Sequence, residues 1–153
     1  MPSLDTRIPP PVVALIVGLG VWGASFLSGK LNVLGPAHFI LAGAFVVAAG
    51  VFGVPAVRAL RRAQTSLDPI HVDRATKVVT SGVYAHSRNP MYVALASLLF
   101  GWAAYLDVPL GFLGPLFFVT YMNRFQIRPE ERVLEARFGP PYLAYKKRVR
   151  RWL

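Results

Sequence analysis

NPMYVALASLLFGWAAYLDVPLGFLGPLFFVTYMN, residues 89–123, carries one charged side chain, Asp107, near its middle. Two apolar runs, Met91–Leu106 and Val108–Asn123, flank the turn Asp107-Val108-Pro109, which has room only for an antiparallel pair. Each run is short for a ~30 Å hydrocarbon core, so the hairpin is expected to tilt, or to let Arg124 snorkel to the interface.

The same pattern recurs upstream. No Asp, Glu, Lys or Arg occurs from Ile8 to Gly29 or from Leu31 to Val57. Over the 153 residues, 54% are hydrophobic and 16% charged, against about 25% charged in soluble domains. A bilayer offers the backbone no hydrogen bonds, so these runs are expected to be helices. The spacing predicts spans at 12–27, 36–57, 91–106 and 108–123. Pro9-Pro10-Pro11 can begin a helix but not interrupt one. Only Arg7 and a single acid precede the first run, and an equally apolar run follows, so it reads as a span rather than a signal peptide. Gly43, Ala44, Ala48, Ala49, Gly50 and Gly53 allow close helix approach in the second span, and Pro55 is expected to kink its end.

The net charge is +10. In a soluble protein this would suggest nucleic acid, but here the positions of the charges speak for a membrane. Six basic residues lie from Arg58 to Arg88 and nine from Arg124 to Arg151, leaving only Arg7 and Lys30 elsewhere. Basic loops stay in the cytoplasm. The expectation is one all-α integral membrane domain over residues 1–153, with about four transmembrane helices and both termini cytoplasmic. A cytoplasmic loop at 58–90 and a C-terminal cytoplasmic or interfacial helical segment at 124–153 complete it. The setting this implies is a bacterial or archaeal cytoplasmic membrane. There is no cysteine, hence no disulfide or thiolate metal site. His38, His71 and His86 lack metal-ligand spacing, so no metal is expected.

In the tail, Pro129–Phe138 reads as a helix with Glu130 and Glu131 in its first turn, where the dipole favours acids. Gly139 ends it and Pro140-Pro141 opens another. Tyr142, Tyr145, Val149 and Trp152 then form one apolar-aromatic stripe among Lys146, Lys147, Arg148, Arg150 and Arg151, the pattern of a helix lying on an anionic leaflet.

Chemistry-bearing residues gather in TSGVYAHSRNPMY (80–92), at Arg124, Arg128, Glu130 and Glu131 just past the hairpin, and on the Tyr142/Tyr145 face. The hairpin brings the first two groups to one membrane face. Taken singly, Arg88 and Arg124 read equally well as snorkelling residues, Glu130-Glu131 as a dipole complement, and Tyr84, Tyr92 and Trp102 as interfacial aromatics. No phosphate-binding loop, zinc motif or nucleophile–base arrangement is present.

The combination is more specific. TSGVYAHSRNPMY, an apolar hairpin and then EERVLEARFGPPYLAYKKRVRRWL (130–153) resemble the isoprenylcysteine carboxyl methyltransferase and phospholipid methyltransferase family. Thr65-Ser66-Leu67-Asp68-Pro69 is similar to the lead-in of bacterial members. The resemblance covers Arg58 to Leu153, and the first two spans match it in hydropathy alone. Where the family has His-Pro, this chain has Asn89-Pro90. Asn can donate and accept hydrogen bonds but cannot titrate.

The resemblance implies S-adenosylmethionine as methyl donor, with S-adenosylhomocysteine as product. It implies a cofactor pocket from Tyr84, His86, Arg88, Asn89, Pro90, Met91, Tyr92, Arg128, Glu130, Glu131 and Tyr142. Glutamates suit the ammonium or ribose, arginines the carboxylate, and tyrosines the adenine or sulfonium. Arg124 and Asn89 are the implied catalytic-site residues, with Arg124 orienting an anionic group of the acceptor. The acceptor is expected to be lipophilic, an isoprenylcysteine-like carboxylate or related lipid that enters through the bilayer while the cofactor enters from the cytoplasm. A carboxylate needs no general base, whereas an amine acceptor does. Alternatives are a phospholipid or small-amine N-methyltransferase, a non-enzymatic lipid-binding protein of the same fold, and a sterol-reductase type of enzyme, against which the lack of a nicotinamide motif counts.

Overall fold

The computed structural model describes residues 8–28, 35–64 and 76–153. Every regular element among them is helical. Helix α1 is Pro10–Ser28, α2 is Ala37–Arg62 and α3 is Pro90–Leu106. After a 3-10 turn at Pro109–Phe112 comes α4, Leu113–Tyr121. A π-helical stretch, Met122–Ile127, joins it directly to α5, Arg128–Phe138, and α6 is Pro140–Arg148. The lead-in Thr65–Pro69 and His71 lie outside the described residues.

Helices α1 and α2 are long and apolar enough to cross a membrane, and α3 is a shorter apolar helix. Each hides a narrow stripe and exposes the rest. On α1, Val13, Val17 and Val21 recur every four residues and are buried, while Leu15, Ile16, Leu19 and Phe26 are at least 55% exposed. On α2, Ala42, Ala49 and Ala56 form the buried stripe at seven-residue intervals, and Phe39, Ile40, Val46 and Val47 face out. Apolar faces this broad are rare on soluble monomers and suit contact with lipid, and the protein is membrane-associated.

Small residues set the helix spacing. A β-carbon at Gly53 of α2 would come within 3.0 Å of Ala94 Cβ on α3. One at Gly101 of α3 would meet Phe45 Cβ at 3.1 Å and the Ala42 carbonyl at 3.3 Å. The α2–α3 seam is therefore a close backbone approach of the kind Gly and Ala permit. The core beside it joins Val13, Val17 and Val21 to Tyr92, Ala96, Leu99, Ala103, Phe118, Met122 and Ile127.

The helix that carries the second expected span continues beyond Val57, since α2 runs through Pro55 to Arg62. Two local expectations are corrected. The fourth span and the first tail helix are not separate, since one helix runs from Leu113 to Phe138. Pro129 thus stands inside a continuous helix instead of opening one. It has no N–H for the Phe125 carbonyl and its ring crowds that group, and the wider π turn just before it relieves the crowding. The tyrosine stripe of α6 does not lie on the leaflet. Tyr142, Tyr145 and Val149 are buried, packed against Val78, Leu134 and Phe138, because the protein itself supplies the apolar surface they cover. The turns behave as expected: Asp107 ends α3 at φ 52° and Gly139 separates α5 from α6 at φ 58°.

Candidate functional site

The N-terminus of α3, the start of α5 and the buried face of α6 enclose a cavity of about 500 Å³, within the ~300–1,000 Å³ usual for small-molecule sites. One wall is polar, with Arg88, Asn89, Tyr92, Glu130 and Glu131, and Tyr84, Tyr142 and Tyr145 add aromatic surface. Another wall is apolar and comes from Pro9, Pro10 and Pro11 at the start of α1, then Gly53, Val57 and Leu60 on α2, then Ala94 and Leu95 on α3.

Arg88 and Glu131 form the keystone. Arg88 Nη2 donates to Glu131 Oε1 at 2.6 Å, and its Nη1 donates to the carbonyls of Lys146 at 2.8 Å and Val149 at 2.7 Å. Arg151 grips the same carboxylate, from Nη2 to Oε2 at 2.7 Å and from Nε to Oε1 at 3.1 Å. Lys146 Nζ stands 3.7 Å from Oε2. Burial alone would push the Glu131 carboxyl up. Hydrogen bonds and charge from Arg151 and Arg88 outweigh it and hold the carboxyl below its ordinary value. Arg88 Nε is buried with no partner among the described residues, on a side chain that lines the cavity. Such an orphan donor is costly unless a ligand acceptor meets it.

Glu130 has the opposite surroundings. Tyr92 Oη donates to its Oε1 at 2.5 Å and Gln126 Nε2 to the same atom at 2.6 Å, both neutral groups. Among the described residues no ion pair is formed with it, and desolvation raises its carboxyl from 4.5 to about 7. Burial also raises the phenols of Tyr84 and Tyr142, and pushes Tyr145 up to about 12. These three stay neutral at physiological pH. Tyr145 Oη donates to the Tyr84 carbonyl at 2.7 Å, which fixes the aromatic wall.

Asn89 ties the tail to α3. Its Nδ2 donates to the Arg151 carbonyl at 2.9 Å, and the neighbouring Arg88 N–H donates to the Arg150 carbonyl at 3.0 Å. Farther along, Trp152 Nε1 donates to Asn123 Oδ1 at 3.0 Å.

Of the residues singled out from sequence, Tyr84, Arg88, Asn89, Pro90, Met91, Tyr92, Glu130, Glu131 and Tyr142 all line this cavity. His86 is exposed on the surface and does not. Arg124 and Arg128 line a second cleft of about 400 Å³, whose wall shares Glu131 with the cavity. Sequence reading missed Gln126 and Arg151 as partners of the glutamates, and α1 and α2 as cavity walls. The four-residue step from Gln126 to Glu130 was the available signal for the first. Nothing local marks the others, which depend on packing between distant segments.

An uncharacterized protein of Haemophilus influenzae is 44% identical over 63 residues, which cover 41% of this chain and all of that relative. No solved structure matches the chain. The family model for phospholipid methyltransferase matches residues 37–140, from the start of α2 to the start of α6, a stretch that carries both cavity glutamates. The chain belongs to the phospholipid methyltransferase family.

Proposed function

We propose that this protein transfers a methyl group from S-adenosylmethionine to a lipophilic acceptor at the cytoplasmic face of the membrane. The observation that carries the reading is that, among the described residues, an unmet cationic donor, Arg88 Nε, and a buried carboxyl held by neutral groups alone, Glu130, stand on the walls of one tyrosine-lined cavity. The donor set suits a ligand that bears a carboxylate, an ammonium, a sulfonium and a flat aromatic ring. When bound, that cofactor supplies an electrophilic methyl group.

The chain's own residues do the rest. Arg88 receives the carboxylate through the donor the tail leaves open. Glu130 faces the ammonium or ribose, and Tyr92 and Gln126 hold its Oε1 in place. Tyr84, Tyr142 and Tyr145 present ring faces for the adenine or the sulfonium. Glu131 has both oxygens engaged by arginines, and so serves to position Arg88. Asn89 holds the tail over the site and supplies a fixed hydrogen bond, with no proton to exchange. The apolar wall from α1, α2 and α3 accepts hydrocarbon, excludes water and aligns the acceptor, the main demands of methyl transfer to an ionised nucleophile.

For the acceptor, an isoprenylcysteine-like carboxylate needs nothing more. A phospholipid amine, an acceptor compatible with the family's description, must first lose a proton. Glu130 can take it only where the ribose, and not the ammonium, faces that carboxyl. Incubation of detergent-purified protein with labelled S-adenosylmethionine and a lipid extract, followed by identification of the labelled lipid, tests the reading and names the acceptor. Calorimetry with S-adenosylhomocysteine separates it from a non-enzymatic lipid-binding role, and absence of binding would favour the latter.

A further inference from the structure

The second cleft lies on the other side of Glu131 from the cavity and has a different character. Arg124, Arg128 and Arg132 recur every four residues along the continuous helix, so they share one face of it. Lys146 of α6 and Arg151 of the tail close the cleft from the far side. Two carboxylates also line it, and both are engaged. Glu131 is held by Arg88, Arg151 and Lys146, and Glu135 by Lys146. Arg124 and Arg128 are exposed and lie beyond ion-pairing distance of either carboxylate. Among the described residues that line it, the cleft therefore carries more guanidinium groups than carboxylates.

Its position along the helix matters as much as its charge. Leu113, Leu116 and Phe117 of α4 are more than half exposed, an apolar face suited to lipid tails. Arg124 follows two turns later, inside the π stretch. Trp152, an aromatic of the type that settles at headgroup depth, is bonded to Asn123 beside it. With α4 in the bilayer, the cleft opens at the level of the lipid phosphates.

We propose that this cleft is a binding site for a phosphate-bearing headgroup of an anionic membrane lipid, seated between the arginine row of α4–α5 and the α6 tail. Forked guanidinium donors match phosphate oxygens, and basic pockets at the ends of membrane helices take such headgroups. The bound phosphate would fasten the tail, and with it the Arg88–Glu131 keystone, to the membrane surface. The site depends on membrane insertion of α4 and is independent of the methyl-transfer reading.

The test uses the full chain in a neutral maltoside detergent, with Trp fluorescence and thermophoresis as readouts. The probes are dihexanoyl phosphatidylglycerol, dihexanoyl phosphatidylcholine and inorganic phosphate. Saturable binding of the anionic lipid is expected, stronger than that of either other probe. The Arg124→Gln/Arg128→Gln double variant should weaken it by roughly tenfold or more, as expected for lost charge-assisted hydrogen bonds to one anion. Arg124→Lys/Arg128→Lys, which keeps the charge and loses the fork, should fall between. The charge-matched variant Arg61→Gln/Arg62→Gln, at the end of α2, should bind as the wild type does. Equal loss in that control would mean diffuse electrostatics and overturn the site. Inorganic phosphate binding as tightly as the lipid, with the same arginine dependence, would overturn the lipid as its occupant. Unchanged lipid affinity in a folded Arg124→Gln/Arg128→Gln protein would overturn both.

Discussion

Arg88 and Glu131, 43 residues apart in sequence, meet at 2.6 Å with 8% and 7% of their side chains exposed. The same guanidinium holds two tail carbonyls and the same carboxylate holds Arg151, so one ion pair joins the start of α3, the start of α5 and the C-terminal tail. Glu131→Gln should therefore cost about 3 kcal/mol or more, the range for breaking a buried pair. Arg151→Gln should cost about 1 kcal/mol or less, since that side chain is 30% exposed and solvent screens it. Thermal unfolding in detergent measures both. Equal destabilisation would show that Arg88 is not the principal partner.

The same pair sets an acid limit. Glu131 has a lowered carboxyl in the folded protein, so it stabilises the fold above its ordinary titration range. That contribution should disappear as the pH falls through the lowered value. Glu130 acts in the reverse sense: its folded value of about 7 lies above the ordinary 4.5, so folding binds a proton between them and stability from this group falls as pH rises through that window. A Glu130→Gln variant should lose this decline while keeping the acid limit.

Cofactor binding should follow Glu130 too. An ammonium or sulfonium favours its ionised form, so binding must release a proton below about pH 7. Affinity for S-adenosylhomocysteine, which keeps the ammonium, should rise from pH 6 to pH 8, and calorimetry in buffers of different ionisation heat should detect the proton. Glu130→Gln should bind more weakly and without the pH dependence. A pH-dependent Glu130→Gln protein would assign the titration to another group.

Asn89 offers a separable prediction, because its side-chain amide bonds the tail. Asn89→Leu leaves the part-buried Arg151 carbonyl without that donor, at roughly 1 kcal/mol, and should speed tryptic cleavage at Lys146 and Lys147. Asn89→His can still donate and should stay closer to wild type. Identical cleavage in all three proteins would mean that the backbone bond from Arg88 to the Arg150 carbonyl suffices alone.

Packing of the first helix can be tested at Gly114. A β-carbon there would lie 2.5 Å from Val21 Cγ2 and 3.2 Å from Val17 Cγ1. Gly114→Ala should cost ~1–3 kcal/mol by overpacking, and Val21→Ala in the same chain should recover part of it. Gly20→Ala, with open space around the new methyl group, should cost nothing and is the control. For topology, the charge bias predicts cytoplasmic reporters after Arg62 and after Leu153 and an external one at Lys30. An external C-terminus would replace the four-span arrangement.

The sequence by itself determined which stretches are helices and where several of them stop. Charge-free runs, Pro10 at the start of α1, Pro90 at the start of α3, and Gly139 between α5 and α6 act through local backbone chemistry, which the chain carries in each short segment. It also brought together most of one cavity wall, because Arg88 to Tyr92 lead into one helix and Glu130 and Glu131 lie on the next, a few turns beyond the hairpin. Only the tertiary structure decided which way the tyrosines of α6 face, since an apolar stripe fits a leaflet or a protein surface equally well. It alone separated Glu130 from Glu131. The two adjacent carboxyls are alike in sequence, but successive helix positions point about 100° apart and direct them to different neighbours, one to Tyr92 and Gln126, the other to Arg88 and Arg151. It likewise sent Arg124 and Arg128 to a separate cleft. Electrostatic environment depends on what lies within a few ångströms across the fold, and that distance is not written along the chain.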